Sequence, residues 1–220
     1  MILRGSVRLP DTVPRRVGVL VSGRGSNLQA LLDACVGDFP ARVVRVISNI
    51  AGVYALERAE SAGVPTSVLS HAGVPRAAFD AALRAQLMDD GVEIVCLAGF
   101  MRVLGAEFLE GWPVINVHPA LLPAFPGLHG PRQAIAGGVV QAGATVHLVD
   151  PGVDTGPILG QASVPVTDDD TEDTLAGRIL PFEHRLLVQA LRQVAEGRVQ
   201  VEGRRAHIAL KPSEQRWIVG

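Results

Sequence analysis

Short apolar runs alternate with segments of helical periodicity along most of this chain of 220 residues. The run at residues 17–21 precedes a glycine-containing turn, and residues 28–35 then carry apolar side chains at helical spacing. The same succession of strand and helix recurs twice, at residues 43–47 with 54–62 and at residues 66–69 with 76–90. This alternation predicts an α/β fold, in which a mostly parallel, twisted sheet carries helices on both faces.

The pattern changes in the last third of the chain. Residues 93–98 still form an apolar run with little alternation, which is typical of a parallel strand covered on both faces. Beyond it, antiparallel strands are predicted at 144–149 and 158–164, followed by a helix at 171–196 and a hairpin at 198–208 that turns at Gly203-Arg204. Pro181 is expected to break or kink that helix near Leu180, because proline removes a helical hydrogen bond.

Three segments follow from this pattern. Residues 1–15 hold prolines and arginines without an apolar period, which predicts a mobile N-terminal extension. Residues 16–208 are expected to form one folded domain, and residues 209–220 a C-terminal tail. Hydrophobic residues make up 48% of the chain, enough for a sizeable core.

Composition excludes several classes of protein. The formal net charge of −2 argues against a dominant nucleic-acid surface. The chain has no apolar stretch of membrane-spanning length and no apolar signal-peptide core near its start, so a cytoplasmic protein is expected. Cys35 and Cys96 lie in a helical and a strand pattern, which predicts reduced core residues and no metal site.

Asn116 and His118 stand two residues apart at the end of the apolar run that begins at Val114. In an extended chain, residues i and i+2 point to the same side, and Pro119 would end the strand there. An imidazole beside a fixed amide donor is suited to acid–base work and to stabilising an oxyanion. A structural histidine near a strand end is the alternative interpretation.

Asp154 is the candidate third member of this group. It lies in a loop rich in glycine and proline between two predicted strands, and this loop could bring a carboxylate close to His118. A turn-forming aspartate is the alternative. His147 could line the same pocket or be a buried histidine with satisfied hydrogen bonds, and His129 is equally ambiguous in its loop.

The turn at residues 23–27, Gly-Arg-Gly-Ser-Asn, is a candidate phosphate site. Glycines allow close approach of the backbone to an anion, and the helix that follows supplies free N–H groups. The turn lacks the lysine of a Walker loop and the third glycine of the dinucleotide fingerprint, so an ordinary capped turn remains open. Residues 101–104 could line an apolar cleft or simply join a strand to a helix.

Several motifs together resemble a known family. They are Gly-Ser-Asn-Leu-Gln at 25–29, Leu-Ala-Gly-Phe-Met-Arg at 97–102, Asn-Val-His-Pro at 116–119, Leu-Leu-Pro at 121–123, Pro-Gly-Leu-His at 126–129 and Asp-Thr-Gly-Pro-Ile at 154–158. Their order and spacing over about residues 16–208 are similar to the phosphoribosylglycinamide formyltransferase family, within the folate-dependent formyltransferase superfamily. The resemblance implies a Rossmann-like formyltransferase fold.

The resemblance also implies a reaction and a set of residues. The formyl group of 10-formyltetrahydrofolate would pass to the amine of 5'-phosphoribosylglycinamide, without a metal, in purine biosynthesis. The implied catalytic residues are Asn116, His118 and Asp154. The implied ribonucleotide-binding residues are Gly25, Ser26, Asn27 and Glu183. The implied folate-binding residues are Arg76, Met101, Arg102, Val103, Leu104, Asn116 and His147.

Small-molecule substrates are therefore the expected partners of a monomer or homodimer, with no nucleic acid and no membrane. A formyltetrahydrofolate deformylase is one rival, although it would normally carry an additional N-terminal domain. A methionyl-tRNA formyltransferase would need an RNA-binding domain after residue 208. A non-catalytic nucleotide- or folate-binding module is a rival of another class, and it would not require the set Asn116, His118 and Asp154.

Overall fold

The computed structural model describes residues 4–6, as backbone, and residues 14–220. Most of the predicted N-terminal extension, residues 1–15, therefore lies outside the described residues, and its mobility stays a prediction. Strand β1 (Arg4–Ser6) lies within that segment, and β2 (Arg15–Val21) begins one residue before the predicted start of the folded domain.

The strands beyond β2 follow the predicted order closely. They are β3 (Ala41–Ser48), β4 (Thr66–Val68), β5 (Ile94–Leu97), β6 (Val114–His118), β7 (Gln141–Leu148), β8 (Ile158–Pro165), β9 (Val199–Glu202), β10 (Arg205–Ile208) and β11 (Trp217–Val219). The helices are α1 (Ser26–Ala34), α2 (Tyr54–Ser61), α3 (Arg76–Asp89), α4 (Ala106–Leu109), α5 (Gly130–Ala136) and α6 (Glu172–Ala195).

All strands of the described residues join one sheet in the order β1, β9, β10, β8, β7, β6, β5, β2, β3, β4, with β11 also paired to β8. Strands β6, β5, β2, β3 and β4 are parallel neighbours, whereas β7 runs antiparallel to both β6 and β8. The predicted fold class is therefore confirmed: a mostly parallel first part is followed by antiparallel strands in the C-terminal third.

Helices cover both faces of the sheet, as the strand patterns require. Along β2, Val17, Val19 and Val21 pack into a core shared with α1, α2, α5 and α6, whereas Leu20 packs into a second core with α3 and α4. Strand β2 thus buries alternate side chains against opposite layers, which explains why its run is apolar without a polar face.

Helix α6 continues through Pro181, so of the expected break or kink near Leu180 the break was wrong, and the kink stays a prediction. Ile179 before the proline and Leu186 after it are both buried in the same core. Packing on both sides of the missing N–H holds the helix as one element, because tertiary contacts supply most helix stability. Thr171 begins this helix with a capping box that it forms with Thr174.

The predicted hairpin is confirmed, since β9 and β10 pair antiparallel around Gly203, whose φ is 59°. The segment 209–220, expected to be a tail, contains β11, which pairs parallel with β8. In the described part of the chain, no helix combines the length and apolarity that a membrane span needs.

Candidate active site

Asn116 and His118 project from the same side of β6, because Ile115 and Val117 between them pack into the larger core on the other face. Strand β7 lies beside β6 in antiparallel register, which pairs Asn116 with His147 and His118 with Thr145. Four polar side chains from two neighbouring strands therefore meet on one face of the sheet at the carboxyl end of β6.

His118 is buried, with 5% of its surface exposed. Its Nε2 lies 2.8 Å from the carbonyl oxygen of Phe125. A carbonyl oxygen can only accept a hydrogen bond. The Nδ1 of His118 lies 3.5 Å from Oδ2 of Asp154. Both ring nitrogens of His118 thus face acceptors.

Asp154 reaches this position from the loop between β7 and β8, with a left-handed backbone at φ 54°. Its Oδ2 accepts a hydrogen bond of 2.8 Å from the N–H of Gly127, and its Oδ1 lies 3.6 Å from Nε2 of His147. A non-glycine residue rarely adopts this backbone unless its surroundings impose it. Here the contacts from both sides hold the carboxylate in place.

The pKa of Asp154 is lowered from its ordinary value. Burial alone would raise it, but the contacts with His147, the Gly127 N–H and His118 stabilise the charged form and outweigh burial. The carboxylate is therefore a stable negative charge between two imidazoles. Such a charge favours protonation of a neighbouring ring.

His147 links this carboxylate to Asn116. Its Nδ1 lies 3.0 Å from the carbonyl oxygen of Leu148 and its Nε2 lies 3.2 Å from Nδ2 of Asn116. His147 takes up no more than one N–H of the Asn116 amide, so at least one other N–H remains for the pocket. The amide is held in orientation, which is the requirement for a preorganised oxyanion donor.

A second group of predicted residues lies at the start of α1. Gly25 precedes the helix with φ 75°, and a Cβ atom there would lie 2.6 Å from Cβ of Ala55. Only glycine fits this turn, both for its backbone and for its close approach to α2. Ser26 and Asn27 occupy the first two helical positions, whose N–H groups have no helical acceptor and point toward the loop.

Asn27 and Glu183 join α1 to α6 across this turn. Nδ2 of Asn27 donates to Oε2 of Glu183 at 2.8 Å, and both residues are buried. Oδ1 of Asn27 is buried without a hydrogen-bond partner in the described part of the chain. Burial raises the pKa of Glu183, and the hydrogen bond from Asn27 opposes that rise. The buried pair thus fixes the start of α1 against α6 beside the turn.

We expect Glu183→Gln to raise thermal stability at neutral pH. A carboxyl whose pKa is raised by folding destabilises the folded state once it ionises, and the penalty is complete above the folded pKa. As the pH falls below the ordinary value of 4.5 the carboxyl becomes neutral in both states, so the advantage of glutamine should disappear. Thermal unfolding at pH 8 and pH 4 measures the difference, expected as a Tm gain of a few degrees at pH 8 only.

The matched control is Glu202→Gln, because the side chain of Glu202 is 85% exposed. It should leave Tm nearly unchanged at both pH values. A Glu183→Gln variant that is less stable than the parent at pH 8 would contradict the assignment of a strained buried carboxylate.

The predicted folate segment follows β5. Met101 and Val103 are 65% and 49% exposed, whereas Leu104 is buried in the second core. Leu104 therefore serves packing, and the other apolar side chains are open to a ligand. The Arg102 guanidinium lies 4.6 Å from the centre of the Phe79 ring, so a cation and an aromatic face border this segment.

Arg76 begins α3 and lines a cleft of about 390 Å³ between α3 and α4. Gly105, directly after the predicted folate segment, lines the same cleft. The guanidinium is thus an exposed cation at one end of that segment. A larger groove of about 550 Å³ on the outer side of α6 contains none of the predicted site residues.

His129 is not part of the candidate centre. Its Nδ1 lies 2.9 Å from Oε1 of Glu172, at an exposed contact between the start of α5 and the start of α6. Of its two possible roles, the structure supports a contact between helix ends. Among the described residues, no three histidine, cysteine, aspartate or glutamate side chains group in a way that could hold a metal ion.

Sequence reasoning missed the groups that hold the loop over His118. Thr145 donates through its hydroxyl to the Ala120 carbonyl at 2.7 Å and accepts from the Leu122 N–H at 3.0 Å. Nε2 of Gln161 donates to the Leu122 carbonyl at 2.9 Å. Thr145 and Gln161 lie on strands as polar residues in apolar runs, and that interruption was the signal that could have identified them.

Comparison with known proteins adds a family. The model of the family described as "Formyl transferase" matches residues 15–191. A phosphoribosylglycinamide formyltransferase of Mycobacterium tuberculosis is 50% identical over 208 residues, which cover 93% of this chain and 96% of that protein. A solved glycinamide ribonucleotide transformylase 1 of Symbiobacterium toebii has a TM-score of 0.86 and 52% identity, covering 88% of this chain and 93% of that one.

Some relatives are much longer than this chain. The trifunctional purine biosynthetic protein adenosine-3 of Drosophila pseudoobscura pseudoobscura is 50% identical over 189 residues, or 83% of this chain. Those residues are 14% of the length of that protein. The similarity therefore concerns one segment of the trifunctional protein and nearly all of the mycobacterial one.

Proposed function

The chain belongs to the formyl transferase family, and on this premise we propose that Asn116, His118 and Asp154 catalyse formyl transfer in it. The reaction moves the formyl group of 10-formyltetrahydrofolate to the amine of 5'-phosphoribosylglycinamide. Its products are formylglycinamide ribonucleotide and tetrahydrofolate, and it is a step of purine biosynthesis. The observation that carries the assignment of residues is the Asp154 carboxylate between His118 and His147, beside the oriented amide of Asn116.

Attack of an amine on the formyl carbon places negative charge on the formyl oxygen. The Asn116 N–H left over by His147 is one donor proposed for that oxyanion. The other is the Nδ1–H of a His118 imidazolium, which would exchange its 3.5 Å contact with Asp154 for the oxyanion. Asp154 stabilises the imidazolium, because its own lowered pKa keeps it charged. The proton that leaves the attacking amine passes to the folate nitrogen through water or through His118.

The turn at Gly25 is the proposed site of the ribonucleotide phosphate. Free N–H groups at the start of α1 and the positive end of the helix favour a phosphate there, and no acidic residue occupies the first turn of α1. Glu183, which accepts a hydrogen bond from Asn27 beside this turn, is proposed to contact the same substrate.

The folate is proposed to lie along residues 101–104. Met101 and Val103 offer exposed apolar surface, Asn116 and His147 lie at the catalytic end, and Arg76 supplies a cation for a carboxylate. Arg102 completes this set beside the Phe79 ring. Leu104 supports the segment from the core.

We also propose residues 16–208 as the catalytic domain, and a monomer or homodimer in the cytoplasm that binds small molecules and no nucleic acid. The net charge of −2 supports the last point. Size-exclusion chromatography with light scattering measures the oligomeric state.

The function is tested by mixing the protein with 10-formyltetrahydrofolate, with and without the ribonucleotide. Tetrahydrofolate that forms only with the ribonucleotide supports transfer to the amine. Equal release without it would indicate a deformylase, in which water replaces the amine. Binding of both compounds without any product would indicate a non-catalytic module.

Ser26→Ala and Asn27→Ala are expected to raise KM for the ribonucleotide on the order of ten- to hundredfold. The first removes a hydroxyl donor for the phosphate, and the second removes the partner that holds Glu183 beside the turn. The kcat should change much less, since the groups bind ground and transition state alike. Steady-state kinetics with each substrate varied in turn measures both constants.

Ser61→Ala is the matched control, because the Ser61 hydroxyl donates only to the Glu57 carbonyl at the far end of α2. It should leave both KM values unchanged. If Ser26→Ala and Asn27→Ala weakened only folate binding, the phosphate site would have been assigned to the wrong turn.

A further inference from the structure

The proposed phosphate turn and the proposed folate segment are joined at a single residue, Ser22. It follows β2 directly and is 9% exposed. Its backbone N–H donates to the Gly99 carbonyl at 3.1 Å, and its hydroxyl oxygen accepts the Met101 N–H at 2.8 Å. Ser22 directly precedes the proposed phosphate turn, and it therefore makes two hydrogen bonds to residues at the start of the proposed folate segment.

The same hydroxyl has a second partner. It donates to Oδ1 of Asn49 at 2.6 Å, and Asn49, after β3, is 3% exposed. Nδ2 of Asn49 lies 3.1 Å from Nδ1 of His71, which follows β4. The same Nδ1 of His71 also lies 3.2 Å from the backbone carbonyl oxygen of Asn49, so two contacts join Asn49 to His71.

The first two bonds run in one direction, from the Met101 N–H to Ser22 and from Ser22 to Asn49, and the contacts of Asn49 with His71 extend the series. We call it the Ser22 hydrogen-bond chain. Its members follow β5, β2, β3 and β4, which are consecutive neighbours in the sheet. The chain thus runs along the carboxyl edge of the parallel strands, where ligands bind in folds of this kind.

Contacts between aromatic rings connect His71, at the end of the Ser22 hydrogen-bond chain, to the folate segment. His71 meets the Phe79 ring edge-on at 6.5 Å, and Phe79 stacks on Phe100 at 6.5 Å. Phe100 lies between Gly99 and Met101, the two residues bonded to Ser22. The Ser22 hydrogen-bond chain therefore opposes a displacement of the folate segment at both of its ends, through Met101 at one end and through His71 and the phenylalanine rings at the other.

We propose that Ser22 is a positioning residue that couples ribonucleotide binding to folate binding. Asn49 supports it by fixing the direction of its hydroxyl. A ligand that orders the turn at residues 23–27 orders residues 99–101 through Ser22, so the second ligand meets a segment already in place. This inference rests on the proposed function, because it takes the two segments as the two substrate sites.

Ser22→Ala leaves the Met101 N–H and Asn49 Oδ1 without a partner. We expect KM for both substrates to rise about tenfold, with kcat reduced by less than about threefold. Ser22→Thr keeps the hydroxyl and should restore both KM values. Asn49→Ala keeps the bond between Met101 and Ser22 and should give a smaller rise, also in both.

Coupling is measured directly by calorimetric titration of tetrahydrofolate, with and without saturating ribonucleotide. This pair has no formyl group, so no reaction occurs. The ribonucleotide should tighten folate binding to the parent protein on the order of tenfold, and this gain should fall to nearly one in Ser22→Ala.

Ser67→Ala is the control for the loss of a hydroxyl, since the Ser67 hydroxyl donates to Oε1 of Gln86 on α3, outside the Ser22 hydrogen-bond chain. If Ser67→Ala changed the two KM values as much as Ser22→Ala does, the effect of Ser22 would be a general structural one and the proposal would be overturned. Absence of coupling in the parent, or unchanged coupling in Ser22→Ala, would overturn it as well. A parent protein that binds both ligands cooperatively but transfers no formyl group would overturn the proposed function and leave the coupling standing.

Discussion

His118→Ala is expected to lower kcat by about 10²–10⁴-fold while the ribonucleotide binds almost as tightly as before. The imidazolium is proposed to act on charge that exists only in the transition state, so its loss should leave ground-state binding largely intact. Single-turnover kinetics and calorimetric titration of the ribonucleotide measure the two quantities separately.

Loss of the ring also leaves the Phe125 carbonyl without its His118 partner and removes one of the contacts of the Asp154 carboxylate, which keeps those with Gly127 and His147. Thermal unfolding must therefore accompany the kinetics, and His118→Gln offers a variant that retains a side-chain N–H donor. His207→Ala is the matched control, because that ring is 57% exposed on β10. A folded His118→Ala protein with near-normal kcat would remove His118 from the catalytic set.

Asn116→Ala is expected to lower kcat on the order of 10²–10³-fold, the usual loss for one oxyanion donor. KM for the ribonucleotide should change little, because Asn116 lies apart from the turn at Gly25. The measurement is the same steady-state assay with each substrate varied in turn.

The double variant gives the sharper result. If Asn116 and His118 donate to the same oxygen, the combined loss should be smaller than the product of the single losses, as for groups that act as a unit. Independent, fully multiplicative losses would indicate that the two side chains serve different steps. A loss in Asn116→Ala confined to KM would show that the amide binds substrate without stabilising charge.

The regular part of the fold was predictable because its signals are periodic. Strand β5 and helix α3 begin and end within about one residue of their predicted bounds, since apolar spacing marks both. The four-residue helix α4 is too short to carry a period, and β11 becomes a strand only through its pairing with β8. Pro181 misled the prediction, because packing outweighed its local cost.

The candidate site was predictable to the extent that it depends on side chains within motifs. Asn116 and His118 share a face because a strand alternates, and no tertiary information is needed for that. The approach of Asp154 could be named as a possibility only, since its distance depends on two loops. Ser22 and Asn49 carry no local signal, because their contact joins residues brought together only by the order of the strands.

The acceptor for His118 Nε2 is a peptide carbonyl, that of Phe125, held in a left-handed backbone with φ 55°. No exchange of side chains deletes this acceptor, so a mutational scan of the loop would register Phe125 only through its packing in the core. Variants that tune the contact of Nε2, as distinct from that of Nδ1 with Asp154, must therefore act on the path of the main chain between Pro119 and Gly127. Redesign of this centre is a problem of loop geometry before it is a problem of residue choice.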